Sequence, residues 1–390
     1  MLLRFFAMTS LLLFSVVASG CQFDGAPRVR FGCYPSSTIG TGFLDAEHLG
    51  PHGYQFNLAE KNGIVYTCKA GHIDVTHLRI AADWTAYLAA KSFRCLMKDN
   101  AGFSFGLKVD RSIYFVQITY PEGWRELPQK EKEQIAREIS IGLGQYLAFT
   151  ATTWHEIITW FGYKCIGFFP EFPSAFSWED SFSNLIGTHI AVQALRDTEY
   201  GFDEAMTLAI DQELEKLGVQ SRHTAISASE NERGEWFVGR LLYHVDMKRR
   251  NFDIGLHDGY VTPTIVPSVR ECTRAVAQPY PVPNLDFLGQ YGLSVKLEIE
   301  PREWEKGNIL RIVYPDAKKR KKRIEPTAHF ARIMNYIKKD AVKKYGYNIG
   351  QDRDAASSQR AAVGDINGDY RVNIEDFALV ASQWLNGDSP

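Results

Sequence analysis

The chain lacks a bias of charge: 44 Lys and Arg stand against 46 Asp and Glu in 390 residues. That balance offers no general attraction for a polyanion and sets nucleic acid aside as a partner. After residue 20 no apolar run approaches the ~20 residues that a helix needs to cross a bilayer. Cysteine is scarce. Cys33, Cys68, Cys95, Cys165 and Cys272 follow Cys21, too widely spaced for a zinc pattern and odd in number, so at least one is free or intermolecular. What is present is a globular composition. Aromatics make up 13% of the chain, which argues against disorder, and the length suits two or three domains.

Residues 1–20 differ from the rest. Arg4 precedes an apolar run over 11–17, and Ala18, Ser19 and Gly20 lead into Cys21, the pattern of an export signal too short to span a membrane. Small residues directly before a cysteine resemble the bacterial lipoprotein processing box. That resemblance implies cleavage before Cys21, lipidation of its thiol and a lipid-anchored protein of the periplasm, outer membrane or cell surface. Ala18 stands where the box usually has Leu, so plain signal cleavage is the alternative. Export permits disulfides. Cys68, just ahead of a helical pattern, reads as a disulfide or buried cysteine, or as a nucleophile whose thiol a helix N-terminus activates.

Residues 21–66 are rich in Gly and Pro, with strand-like pieces at 28–31 and 64–66, and form a loop-rich lead-in to a main domain over 67–348. Apolar residues at three- and four-residue steps predict helices over 73–90, from Pro128 to about 161, and over 178–196, 202–217, 236–248 and 328–344. The segments 103–109 and 112–120 predict a hairpin, and 293–299 with 309–314 a second strand pair. The expected fold is α+β, helix-dominated, with small antiparallel strand pairs. Ser177, with Asp180 three residues on, has the form of a capping box. Arg79 and Asp83 read as an exposed ion pair. Lys318 to Arg323, six basic residues in a row, reads as a solvated segment or a contact for an anionic envelope surface. The stretch 349–363, IGQDRDAASSQRAAV, has no apolar period and reads as a linker.

Residues 364–390 form a separate small module. Counted from Asp365, side-chain oxygens fall at positions one, three, five, nine and twelve: Asp365, Asn367, Asp369, Asn373 and Asp376, with the Arg371 carbonyl at seven. Calcium takes six to eight oxygen ligands, and this spacing wraps a loop around it. Gly368 at position four, Tyr370 at six and a terminal Asp depart from the EF-hand rule. Those departures resemble a type I dockerin repeat, a calcium loop followed by one helix, here 377–385. The resemblance implies a cohesin-type protein partner and the company of polysaccharide-degrading enzymes. Dockerins carry two repeats and this chain shows one, with Ile374 and Glu375 where a Ser/Thr pair usually helps recognise cohesin. Calcium binding therefore carries over more firmly than docking.

In the main domain GHIDVTHLRIAADW, WHEIITWFGY and FSWEDSFSNLIG are similar to segments of a bacterial exported lipoprotein family known as domain of unknown function 4056, a resemblance that implies no reaction. The chemistry must come from the residues. His155 and Glu156 open like a zincin, but Thr159 occupies the place of the required second His. His77, His155 and His189 lie on mainly apolar helix faces, near Glu156 and Asp74 or Glu179. If they meet, three readings follow: a zinc or other transition-metal site of a hydrolase, a metal-free acid–base site built on His155, Glu156 and Asp180, or histidines that satisfy partners in the core. The function expected is a candidate hydrolase of envelope or extracellular polymers, with a non-catalytic attachment or assembly protein as the alternative.

Overall fold

The computed structural model describes residues 22–346 apart from 166–168, 242–243 and 268. The signal residues, Cys21, the linker and the whole calcium loop, Asp365 to Asp376, lie outside the described residues. The chain divides into two units, Met1–Met334 and Asn335–Pro390. The core and the cavity belong to the first.

Strands β1 (Ile64–Thr67) and β2 (Gly71–Asp74) pair as a hairpin. The last residue of β2 is the N-cap of α1 (Val75–Met97): Asp74 Oδ1 accepts the Thr76 N–H at 2.6 Å, satisfying one of the donors a helix start leaves open. β3 (Gly102–Phe105) and β4 (Ile113–Thr119) form the expected hairpin, and β4 also pairs with β5 (Ser294–Glu300) in a three-stranded antiparallel sheet. The remaining helices are α2 (Gln129–Trp160), α3 (Asp180–Arg196), α4 (Phe202–Lys216), α5 (Arg222–Asn231), α6 (Lys306–Val313) and α7 (Pro326–Tyr345). The fold is α+β and helix-dominated.

Helices α1, α2 and α3 pack on one another. A Cβ at residue 187 would fall 2.1 Å from the Leu78 carbonyl oxygen, so only Gly187 lets α3 approach α1 this closely. Val65, Ile73, Leu78 and Ala82 pack with Phe182, Leu185 and Ile186 of α3 and with Phe202 and Met206 of α4. A second cluster gathers Trp178, Trp236, Phe237 and Met247. The Cys68–Cys272 disulfide joins positions 204 residues apart, which removes the nucleophile reading of Cys68.

Several expectations are corrected. No α-helix is found among the described residues of 236–248, because Gly239 sits at φ 146°, outside helical space; Phe237–Val238 and Asp246–Met247 pair instead. Residues 309–314 fall in α6 and its C-cap rather than a strand: Ile309 and Val313, one turn apart, bury a single face. α5 went unread because its buried apolar residues are alanines, too small to mark a period. The first helix starts at Val75, since Ile73 belongs to β2. Arg79 and Asp83 are buried, not exposed. Arg79 donates to the carbonyl oxygens of Lys61 and Gly50, and Asp83 pairs with Arg30 at 2.5 Å and His52 at 2.9 Å. The lead-in folds over that face of α1 and supplies the partners that a surface pair would find in water.

Candidate functional site

A cavity of about 610 Å³ lies between α1, α2, the start of α3 and the N-terminal strip 27–34. His77 reaches it from the first turn of α1, and His155, Glu156 and Thr159 from the last turns of α2. Asp180 enters from the first residue of α3. The walls thus carry two histidines and two acidic groups from three helices.

Around His77, Asp74 Oδ2 and Asp180 Oδ1 each stand 3.1 Å from Nδ1. The N–H points squarely at neither oxygen, so the contact is ionic and shared. Burial works against a charged ring, but the two carboxylates outweigh it and hold the His77 pKa well above its ordinary value. Asp74 is fixed on the other side by the Cys33 backbone N–H, which donates to Oδ2 at 2.8 Å. Asp180 is fixed by Ser177, whose N–H and hydroxyl both donate to Oδ2, at 2.9 and 2.8 Å. Here the expected capping box is half right. Asp180 does reach back to the Ser177 backbone, but Ser177 caps nothing and the helix begins at Asp180 rather than Trp178. The cause is Phe176, held at φ 54°, a left-handed conformation uncommon outside glycine that turns the chain sharply before the helix. The Phe176 N–H donates to Glu156 Oε2 at 2.8 Å.

Burial, then the nearby Asp180, push the Glu156 carboxyl up to about 7, where it is divided between acid and base at neutral pH. Burial together with Asp180 and Asp74 raises Glu179 well above the carboxylate range, leaving it a neutral acid whose Oε1 lies 2.8 Å from the Ser177 hydroxyl oxygen. His155 lies 3.8 Å from Asp110 Oδ2 and 3.4 Å from Glu171 Oε2. Burial again opposes the charge, and these two carboxylates offset it, holding the ring up at about 10. Thr159, buried on the same wall, leaves its hydroxyl without a protein partner among the described residues. Burial raises the Cys33 thiol to about 11, so it is no thiolate at neutral pH.

His189 is not part of this group. Its Nε2 meets the Pro281 carbonyl oxygen at 2.8 Å in a separate hollow. Of the candidate metal set, the structure therefore brings His77 and His155 to one cavity, with Asp74 buried behind His77, and leaves His189 apart. A zinc ligand must be a neutral imidazole with a lone pair to offer, so an ion here would have to displace the proton that two carboxylates hold on each cavity ring. Among the described residues no three His, Cys, Asp or Glu side chains are grouped as a metal site. Sequence reasoning missed Asp110, Glu171 and Thr159. Thr159 had entered only as a disqualified zincin position.

No helix among the described residues is long and apolar enough to cross a membrane. No curated protein and no solved structure matches the chain. The family described as Protein of unknown function (DUF4056) matches residues 34–255, a span holding His77, His155, Glu156 and Asp180. Strip residues 27–33, which close the cavity, precede it. Because that match covers more than half of the sequence, the chain belongs to the DUF4056 family.

Proposed function

We propose that the main domain is a metal-free acid–base hydrolase. The observation that carries it is the pairing, on one cavity, of a carboxyl poised near neutrality with a histidine held as a cation. Glu156 accepts a proton from water as the water attacks the scissile carbon. His77, whose Nδ1 is engaged by Asp74 and Asp180, donates from Nε2 to the leaving group. His155 adds positive charge that steadies a developing oxyanion. The Thr159 hydroxyl is a ready partner for the water.

Around this core we place an exported protein, anchored through a lipid on Cys21, whose 364–390 module binds calcium through Asp365, Asn367, Asp369, the Arg371 carbonyl, Asn373 and Asp376 and offers a site to a cohesin-type partner. The support is the signal pattern and the oxygen spacing. The second reading, a non-catalytic attachment or assembly protein, rests on the same ion pairs, because a static buried network also sets its histidines against carboxylates.

A panel of chromogenic esters, amides and glycosides separates the two. Turnover that falls ~10²–10⁴-fold in Glu156→Gln and His77→Asn supports the hydrolase. Turnover by no substrate, or equal turnover in the variants, favours attachment. Calorimetric titration of the full chain with calcium should give one site, lost in Asp369→Ala; no heat would remove the calcium assignment.

A further inference from the structure

The cavity is a slot, and its shape selects a class of ligand. The N-terminal strip is pinned along α1 at three points: Asp24 to Arg94 at 3.0 Å, Arg30 to Asp83 at 2.5 Å, and the Cys33 N–H to Asp74 at 2.8 Å. Strip numbers rise as helix numbers fall, so the two run antiparallel. From Asp83 to Arg94 the helix climbs about 16 Å, and the strip covers that span in the six steps from Asp24 to Arg30, which reach about 20 Å when fully extended, so the strip is largely extended. His77, Ile80 and Trp84, at steps of three and four, share one face of α1 and all line the cavity. They make a wall about 10 Å long.

The two ends of that wall differ. At the His77 end stand Glu156 and Asp180. Along the rest run Ile80 and Trp84, and Leu107 and Val109 also line the cavity. The strip adds no free charge there, because Arg28 and Arg30 turn to Glu60 and Asp83. Val29 alternates with them and is 46% exposed, as a lip. A glycan or an extended peptide needs polar partners along its whole length, since each buried hydroxyl or amide without one is unfavourable. Thr152, Asn184 and Lys108 also line the cavity, the last already donating to the Ala26 carbonyl oxygen, but most of the lining surface is apolar and too poor in polar partners to serve such a ligand along its length.

We propose that the slot takes a linear acyl chain, with the ester or amide carbonyl beside His77 and Glu156 and the methylenes laid along Ile80 and Trp84. This rests on the acid–base reading for the reaction but not for the binding. In the reaction, water adds to the acyl carbon and Glu156 takes one of its protons. The carbonyl carbon–heteroatom bond then breaks, and His77 protonates the departing alcohol or amine, leaving a free carboxylic acid.

The test is equilibrium binding of two saturated series to the full chain: monoacylglycerols as esters and N-acyl glycines as amides, from four to fourteen carbons. Affinity should rise roughly three- to fourfold per methylene and level off once the slot is full. The series that binds more tightly names the source of the chain. In Ile80→Trp, which fills the middle of the slot, the ratio of ten-carbon to four-carbon affinity should collapse toward one. If that variant melts early, Val29→Trp at the lip gives the same reading. Affinity that ignores chain length, a ratio unchanged in both variants, or tighter binding of malto-oligosaccharides than of any acyl ligand would overturn the proposal. Chain-length-dependent binding without turnover would sink the acid–base reading and leave the slot; turnover lost in Glu156→Gln without chain-length dependence would do the reverse.

Discussion

The cavity holding His77 and His155 and the hollow holding His189 each set a helix histidine against oxygen atoms, yet the first keeps its rings charged and the second leaves its ring neutral. In the hollow, burial lowers the His189 pKa and its partner is the carbonyl oxygen of Pro281. His72 behaves alike: fully buried, it falls to about 4 against the Ala225 carbonyl, and Trp178 donates to its other nitrogen. In the cavity the rings are partly exposed, by 25% for His77 and 21% for His155, and carboxylates stand where carbonyls stood, so the rings stay protonated. A carbonyl dipole satisfies a neutral imidazole; a carboxylate makes it a stored acid. The partner therefore separates a histidine that holds the fold from one that can do chemistry.

The comparison is most open to attack through pH. If Glu156 is the base and His77 the acid, the rate should climb about tenfold per pH unit below 7, flatten, and fall again only in the alkaline range where His77 loses its proton. A profile set by one group near 6.5 would break the contrast. Gly32 offers a smaller lever. A Cβ there would lie 3.0 Å from His77 Cε1 and 3.1 Å from Nε2, so Gly32→Ala should lower kcat roughly tenfold through misplacement of the ring, with little change in melting temperature.

Glu156→Gln should separate stability from activity. A carboxyl whose folded pKa of about 7 exceeds its ordinary 4.5 favours the fold below the lower value, and that contribution is lost as pH rises through the upper. At pH 8 the buried charge opposes folding, so the glutamine variant should be more stable there by on the order of 2 kcal/mol, by denaturant titration, and no more stable at pH 4. The smallest effect belongs to the hollow. His189→Asn should leave kcat within about twofold and remove roughly 1 kcal/mol of stability.

Much of this was legible in the chain, for physical reasons that differ by element. α1, α2 and α3 announce themselves because large apolar residues such as Leu78, Ile157 and Leu185 recur at helical steps, and His77 and His155 stood out as polar interruptions. His189 looked the same, since periodicity reports burial and is silent on whether a carbonyl or a carboxylate waits opposite. Asp110 and Glu171 reach His155 from a loop and a turn, which carry no period. Arg79 and Asp83 were misread because their partners, Arg30, His52 and the carbonyls of 49–61, come from a lead-in whose Gly- and Pro-rich sequence hides how tightly it lies on α1.

The central claim is that, of these four histidines, two are cations and two are neutral at the same pH. Nitrogen NMR of ring-labelled protein, titrated from pH 5 to 9, reads this without any substrate. His77 and His155 should keep imidazolium shifts throughout, and His72 and His189 should show a single neutral tautomer over the upper part of the range. If His77 and His155 instead lose their protons near 6.5, or are neutral from the start, the cavity holds no stored acid and the account fails.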